Sequence, residues 1–290
     1  MATPCCGIFC VTGLPNAGKS TFINRWVGKD VCASSRKIHT TRQTVKGIVT
    51  WEHYQVILVD TPGLESVKPR DPFAQAVQRQ GWSALDSADH ILFFIDSVRP
   101  DKEEAFDLLQ RVRKQCSRPL SIVLNKVDRV AKDRLLDLAQ YFSQNCHDVF
   151  MISALKNQGM QSFQKRIEPL IPTRAWKYAS GDVTAQSLEF WASEITREMA
   201  FSWLHQEIPY GLHVITESWK KNRKGIVLHQ KIVLEQAQHK ALVLGKGGQR
   251  IKDIGTHARK KMQNLWQCPV YLHLHVQIAP RWKERWMHHP

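Results

Sequence analysis

The stretch G-L-P-N-A-G-K-S-T, Gly13–Thr21, decides the fold. It fits G-x-x-x-x-G-K-[S/T], follows the apolar run Ile8, Phe9, Cys10, Val11, and opens a helical pattern from Lys19 to Val27. Such a loop works through its backbone: glycines let it wrap closely, so that successive N–H groups point at phosphates. Lys19 is expected to reach the outer two phosphates and to offset the charge that develops during hydrolysis, which makes it the catalytic candidate. The Ser20 hydroxyl is expected to bind Mg²⁺, and the positive end of the helix adds to the site. The phosphate-binding set is therefore Gly13, Leu14, Pro15, Asn16, Ala17, Gly18, Lys19, Ser20 and Thr21.

Three further motifs fall at the ends of predicted strands. Asp60-Thr61-Pro62-Gly63, followed by Leu64, ends the run Val56–Val59. A carboxylate there can hold Mg²⁺ through water, and the Gly63 N–H can meet a γ-phosphate. Asn125-Lys126-Val127-Asp128 follows Ser121–Leu124. The Asp128 carboxylate suits guanine, which offers two adjacent donors. Adenine offers no such pair and would strand the charge. Ser153-Ala154-Leu155 follows Val149–Ile152 and is placed to give a backbone N–H to the guanine O6. Between the first two motifs lies S-S-R-K-I-H-T-T-R, where Thr40 or Thr41, next to Arg42, would complete the Mg²⁺ shell with Ser20 and Asp60 and act as a switch. Leu64 stands where a water-orienting Gln is found in Ras-like proteins and cannot do that task, so slow intrinsic turnover of GTP to GDP is expected.

Around these motifs the first 172 residues alternate strand and helix patterns. Strands are expected at Ile8–Thr12, 56–59, Ile91–Ile95, 121–124 and 149–152. Helices are expected at 19–27, 73–87, 102–115, 132–145 and 160–168. Buried strands separated by helices of this length imply an α/β fold with a doubly wound, mostly parallel sheet. Residues 173–186 carry few core-type residues and are expected to be a linker. Residues 187–280 then read as a small α+β domain: a helix from Ser187, strands at Leu212–Ser218 and Ile226–Leu234, Gly245-Lys246-Gly247-Gly248, a basic helix Gln249–Trp266 and a last strand Val270–Ile278. The tail 281–290 is expected to be frayed.

The 290 residues carry a net charge of +15, unevenly spread. Residues 1–172 hold 23 Lys+Arg against 17 Asp+Glu, whereas 173–290 hold 18 against 9. The basic C-terminal part points to a polyanion, nucleic acid or an anionic membrane surface. No apolar run approaches the roughly 20 residues needed to span a bilayer. The N-terminus has no basic leader pattern, so neither secretion nor import is expected. Seven irregularly spaced cysteines lack the pairing of a zinc site and are expected to be reduced thiols. The glycines of G-K-G-G let a backbone press against nucleotides, and Lys246, Arg250 and Lys252 surround it with charge.

These residues together resemble the Era GTPase family. The motifs Gly13–Thr21, S-R-K-I-H-T-T-R, D-T-P-G, N-K-V-D and S-A-L are similar to that family's. A-S-E-I-T-R-E-M, V-L-G-K-G-G-Q-R-I-K-D-I-G-T-H-A-R-K-K-M-Q and P-V-Y-L-H-L-H-V are similar to its C-terminal type II KH domain. The resemblance covers nearly the whole chain. It implies a P-loop GTPase (G) domain over 1–172 and a KH domain over 187–280. It implies GTP/GDP and Mg²⁺ as ligands, with Asn16 at the position that holds K⁺ in relatives. It also implies a monomer that binds the 3′-terminal region of small-subunit ribosomal RNA and assists assembly of the small (30S) subunit. The implied location is cytoplasmic, with peripheral contact at the inner face of the cell membrane. The rival reading is a membrane-associated signalling GTPase whose basic domain binds anionic lipid; it shares the charge but does not need G-x-x-G.

Overall fold

The computed structural model describes residues 2–32, 44–61, 64, 71–144, 146, 148–204 and 211–288. These group into two units, one up to Ala185 and the other from Gln186.

The first unit is built on a six-stranded sheet. In chain order it contains β1 (Cys5–Gly13), α1 (Lys19–Val27), β2 (Val45–Trp51), β3 (Tyr54–Asp60), α2 (Pro72–Asp86), β4 (His90–Asp96), α3 (Lys102–Gln115), β5 (Leu120–Asn125), α4 (Lys132–Ser143), β6 (Asp148–Met151) and α5 (Met160–Ile167). The strand order is β2-β3-β1-β4-β5-β6, parallel except for β2 against β3. β4 shows why the strands read as unbroken apolar runs. Ile91, Leu92, Phe93 and Phe94 are all fully buried, because helices cover both faces. Capping sets helix starts: the Asp71 side chain accepts from Phe73 N at 3.1 Å ahead of Pro72, and Asp101 accepts from Glu104 N at 3.3 Å. Glu103 and Glu104 in the first turn of α3, with Arg113 and Lys114 in its last, match the helix dipole.

The antiparallel edge strand β2 is not among the five strands expected from the sequence. Its turn into β3, Glu52-His53, has no Gly or Asn to announce a hairpin, and Glu52 adopts φ 48°. The segment from residue 173 to 185, expected as a linker, is fastened to this sheet. Gln55 is fully buried, and its amide accepts from Lys177 N (2.9 Å) and Tyr178 N (3.1 Å) while donating to Tyr178 O (3.0 Å). Further along, Ile48 N donates to Val183 O at 3.0 Å and Thr184 Oγ1 to Lys46 O at 2.8 Å. The attachment combines these polar contacts with Trp176 and Tyr178, which pack against the core and are too widely set among polar residues to show a hydrophobic period.

The second unit contains α6 (Leu188–Trp203), β7 (Leu212–Asn222), β8 (Gly225–Leu234), α7 (Gln238–Leu244), α8 (Gln249–Trp266), β9 (Val270–Ile278) and α9 (Trp282–His288). Its sheet has the order β7-β8-β9, antiparallel then parallel. The core joins Ala200, Phe201 and Leu204 of the α6 side to Leu212, Val214, Ile232 and Leu234 of the sheet and Ile254 of α8. A buried polar chain runs through it: Thr196 Oγ1 donates to Gln230 Oε1 at 2.6 Å, and Gln230 Nε2 donates to Thr216 Oγ1 at 3.0 Å. The tail expected to be frayed is instead helical over Trp282–His288. Trp282 is 4% exposed and its ring stacks on His213 at 5.1 Å. The buried indole and the Lys283–Glu235 ion pair (2.9 Å) anchor this short helix. All seven cysteines are free thiols, and Cys6, Cys10, Cys32 and Cys116 are buried.

Candidate nucleotide and RNA sites

β1 lies between β3 and β4, where the chain order of the sheet reverses. The carboxyl end of such a strand is where open α/β sheets bind ligands. The phosphate loop leaves β1 there. Gly13 has φ 129°, and a Cβ on it would lie 2.2 Å from Phe94 O. Gly18 has φ 89° and caps α1; a Cβ there would lie 2.3 Å from Asn125 Nδ2. Both positions demand glycine on conformation and on space. Asn16 is exposed at φ 61°. Lys19 Nζ donates to Gly13 O at 2.7 Å and Leu14 O at 2.9 Å, so the ammonium is held in the loop's concavity.

Ser20, at the start of α1, donates its hydroxyl to Asp60 Oδ2 at 3.0 Å. Asp60 ends β3, 1% exposed. A hydroxyl and a carboxylate oxygen converging beside a lysine form the all-oxygen donor set that Mg²⁺ prefers, so these residues fit the ion. Thr61 Oγ1 donates to Val11 O at 3.0 Å, which locks this strand end onto β1. Pro62, Gly63, Thr40, Thr41 and Arg42 lie outside the described residues. Leu64 is set apart from the rest: its side chain is buried in the core, and its carbonyl accepts from Arg111 Nη2 at 3.2 Å.

Asn125 joins three of the motifs. Its Nδ2 donates to Ala17 O at 2.8 Å, and its Oδ1 accepts from Lys126 N at 2.8 Å and Ala154 N at 3.0 Å. All three hydrogen bonds of this 2%-exposed side chain are therefore internal. Lys126 takes φ 65°, and its ammonium pairs with Asp96 at 2.6 Å. Val127 N donates to Ile152 O at 3.2 Å. With the backbone so anchored, the Asp128 side chain stands exposed on the single turn Val127–Arg129. Ser153 and Ala154 are buried, and Ser153 Oγ accepts from Lys156 N at 3.2 Å; Leu155 is 70% exposed. The exposed Asp128 carboxylate thus stands beside a loop whose Ser153, Ala154 and Lys156 N–H groups already bond Gln158 O, Asn125 Oδ1 and Ser153 Oγ. Asp96 was missed in the sequence, although an acid closing the apolar run I-L-F-F-I, in register with Asn125, is a strand-end signal of the same kind as Asp60.

In the second unit, Gly245 (φ 70°), Gly247 (φ 58°) and Gly248 (φ 78°) make the turn between α7 and α8. A Cβ on Gly245 would lie 2.7 Å from Arg250 Cβ, whereas nothing lies within 4 Å of one on Gly247 or Gly248. The turn therefore exposes bare backbone at Gly247. Lys246 and Lys252 are exposed beside it. Arg250 differs from them: Nη1 donates to Leu242 O at 2.7 Å and so closes the C-terminus of α7.

The fold and these sites define a P-loop GTPase domain of the guanine-nucleotide type, joined to a KH domain. The 50S ribosome-binding GTPase family model matches residues 8–126, and the KH domain model matches residues 207–283. GTPase Era of Erythrobacter litoralis is 38% identical over 286 residues, 96% of this chain and 93% of its own length. GTPase Era of Rickettsia canadensis is 37% identical over 94% of this chain and 92% of its own. The structure of Aquifex aeolicus Era bound to GDP and AlF4⁻ superposes with a TM-score of 0.90 at 30% identity, covering 97% of this chain and 96% of that one. The structure of Era with MgGDPNP and nucleotides 1506–1542 of 16S ribosomal RNA does so equally. The chain belongs to the Era GTPase family.

Proposed function

We propose that this chain is a GTP-binding, GTP-hydrolysing switch that binds the 3′-terminal region of small-subunit ribosomal RNA and assists assembly of the 30S subunit. The observation that carries the proposal is the knot at Asn125, which ties the phosphate loop, N-K-V-D and S-A-L together and so supports one guanine site, in the same chain as the G-K-G-G turn. Gly13–Thr21 would cradle the phosphates, with Ser20, Asp60 and Thr41 around Mg²⁺, which when bound polarises the phosphoryl oxygens. Lys19 would turn from its loop carbonyls to the outer phosphates. Asp128 would read guanine, with Ser153, Ala154 and Leu155 closing over the base. Asn16 is the position proposed for K⁺. Thr40, Thr41 and Arg42 are proposed as the switch, Lys19 as the charge-offsetting group, and Gly245, Lys246, Gly247, Gly248 and Lys252 as the RNA contact, with Arg250 positioning the turn. The proposed location is cytoplasmic, and the +15 charge favours peripheral contact at an anionic membrane face.

The test is binding of a small-subunit RNA 3′-end fragment, with GDP and with a non-hydrolysable GTP analogue. Tighter binding in one state is expected. Equal affinity would remove the switch from the proposal, and absence of binding would remove the RNA.

A further inference from the structure

The densest cationic cluster of the chain, four Lys or Arg within residues 220–224, lies away from the G-K-G-G turn. Residues 218–234 contain five Lys or Arg and no Asp or Glu. Four of the five, Lys220, Lys221, Arg223 and Lys224, crowd the tip of the β7–β8 hairpin and are exposed. The tip is a formed turn: Asn222 Oδ1 accepts from Lys224 N at 2.8 Å, and Gly225 takes φ 135°. The nearest acids in sequence are already engaged, Glu217 with Lys231 (2.9 Å) and His275 (3.5 Å), and Glu235 with Lys283 (2.9 Å).

Strand register places a flat surface beside this tip. Ile226 and Leu228 are buried on the side covered by α6 and α8, so their neighbours Val227, His229 and Lys231 face outward. Across β8 and β9 the outward rows are Val227 with Tyr271, His229 with His273, and Lys231 with His275. Tyr271 is 49% exposed, and the rings of His229 and His273 are stacked at 4.6 Å and 14°. At the opposite end of the same face, Trp282 of α9 covers His213. The open part is therefore the part next to the cations.

We propose that this outer sheet face and the hairpin tip form a second RNA-binding surface, separate from the G-K-G-G turn and on the other side of the sheet. It would take a single-stranded stretch, with bases stacked on Tyr271 and the His229–His273 pair and phosphates held by Lys220, Arg223 and Lys224. Flat π surfaces beside a charged rim suit unpaired nucleotides, which stack without sequence choice. A lipid surface fits less well, because the tip Lys-Lys-Asn-Arg-Lys offers no apolar side chain to insert.

The experiment is fluorescence anisotropy of a labelled uridine dodecamer with the full chain across a salt series. The variant Lys220→Gln/Arg223→Gln/Lys224→Gln should bind about tenfold or more weakly, and its log–log salt slope should fall by about 2, at roughly 0.7 per phosphate contact on a single strand. Tyr271→Ala should lose about tenfold and Tyr271→Phe almost nothing. The same losses should appear in a Gly247→Asp background, because the two surfaces are separate. Unchanged affinity and slope in the triple variant would overturn the proposal, as would losses that vanish in the Gly247→Asp background. Loss of binding to phosphatidylglycerol/phosphatidylcholine vesicles with RNA binding retained would reassign the face to lipid and overturn it equally.

Discussion

Asn125 Nδ2 donates to the Ala17 carbonyl across 2.8 Å, tying the strand end that opens N-K-V-D to the G-x-x-x-x-G-K-S loop 108 residues earlier. The same side chain accepts from Lys126 N and Ala154 N, so one amide sets the spacing of these three loops. Asn125→Ala would leave a buried carbonyl and two N–H groups without partners. At about 1–3 kcal/mol each, less any local relaxation, a stability loss of about 3 kcal/mol is expected, with GDP affinity down tenfold or more. Urea unfolding and titration of a fluorescent GDP analogue would measure both. A variant that kept native affinity would show that the knot is not what aligns the site.

Gly18→Ala should damage the same contact from the other side. The new Cβ would sit 2.3 Å from Asn125 Nδ2 at a φ of 89° that L residues rarely adopt. Nucleotide affinity should fall more than tenfold. The two substitutions should not add: once Asn125 is alanine the clash is gone, and Gly18→Ala should cost only its backbone strain, about 1–2 kcal/mol. A double-mutant cycle reads this directly, and strict additivity would refute the coupling.

Asp128 stands on a turn whose backbone is held by Ile152 O and, through Lys126, by Asp96. Its side chain is exposed and is the group proposed to choose the base. Asp128→Asn should therefore fold normally, lose most GTP affinity and gain affinity for the xanthosine nucleotide, whose ring offers an acceptor where guanine offers a donor. Calorimetry with both nucleotides would check the exchange. GTP binding that is untouched by the change would exclude Asp128 as the base reader.

Much of this was legible in the sequence because it is local. α1, α3, α8 and β9 fall where apolar periodicity places them, and the described residues of the four motifs sit at strand ends as expected. What was not legible depends on partners far along the chain. β2 is an edge strand whose pairing with β3 is visible only once its turn is built. The segment held by Gln55 has a polar anchor that reads as surface until its 122- and 123-residue contacts close. α9 has too few residues to show a period, and it is fixed by distant partners, Trp282 on His213 and Lys283 on Glu235. In sequence Asn125 is one member of the N-K-V-D motif. Its contact with the phosphate loop exists only in three dimensions.

His90 opens β4 at 4% exposure, its Nε2 within 2.8 Å of Ser121 Oγ and its ring 5.5 Å from Phe9. Burial lowers its pKa to about 4 from an ordinary 6.5, with the Asp148 charge opposing the shift. Above pH 6.5 the imidazole is neutral in both folded and unfolded chains, and its contribution is fully present. As pH falls from 6.5 towards 4, the unfolded chain takes up a proton that the folded one refuses, so stability drops. The slope is about 1.4 kcal/mol per pH unit, and the total loss is roughly 3 kcal/mol. Below pH 4 both forms are protonated and the loss levels off. Other groups titrate in this range, so the measurement is a difference: urea unfolding of the native chain and of His90→Asn at pH 7, 6, 5 and 4.5. Asparagine keeps a polar atom near Ser121 but has no proton to gain. The native chain should lose about 2–3 kcal/mol more than the variant between pH 7 and 4.5. Parallel stability curves would mean that His90 is not excluded from protonation by the fold.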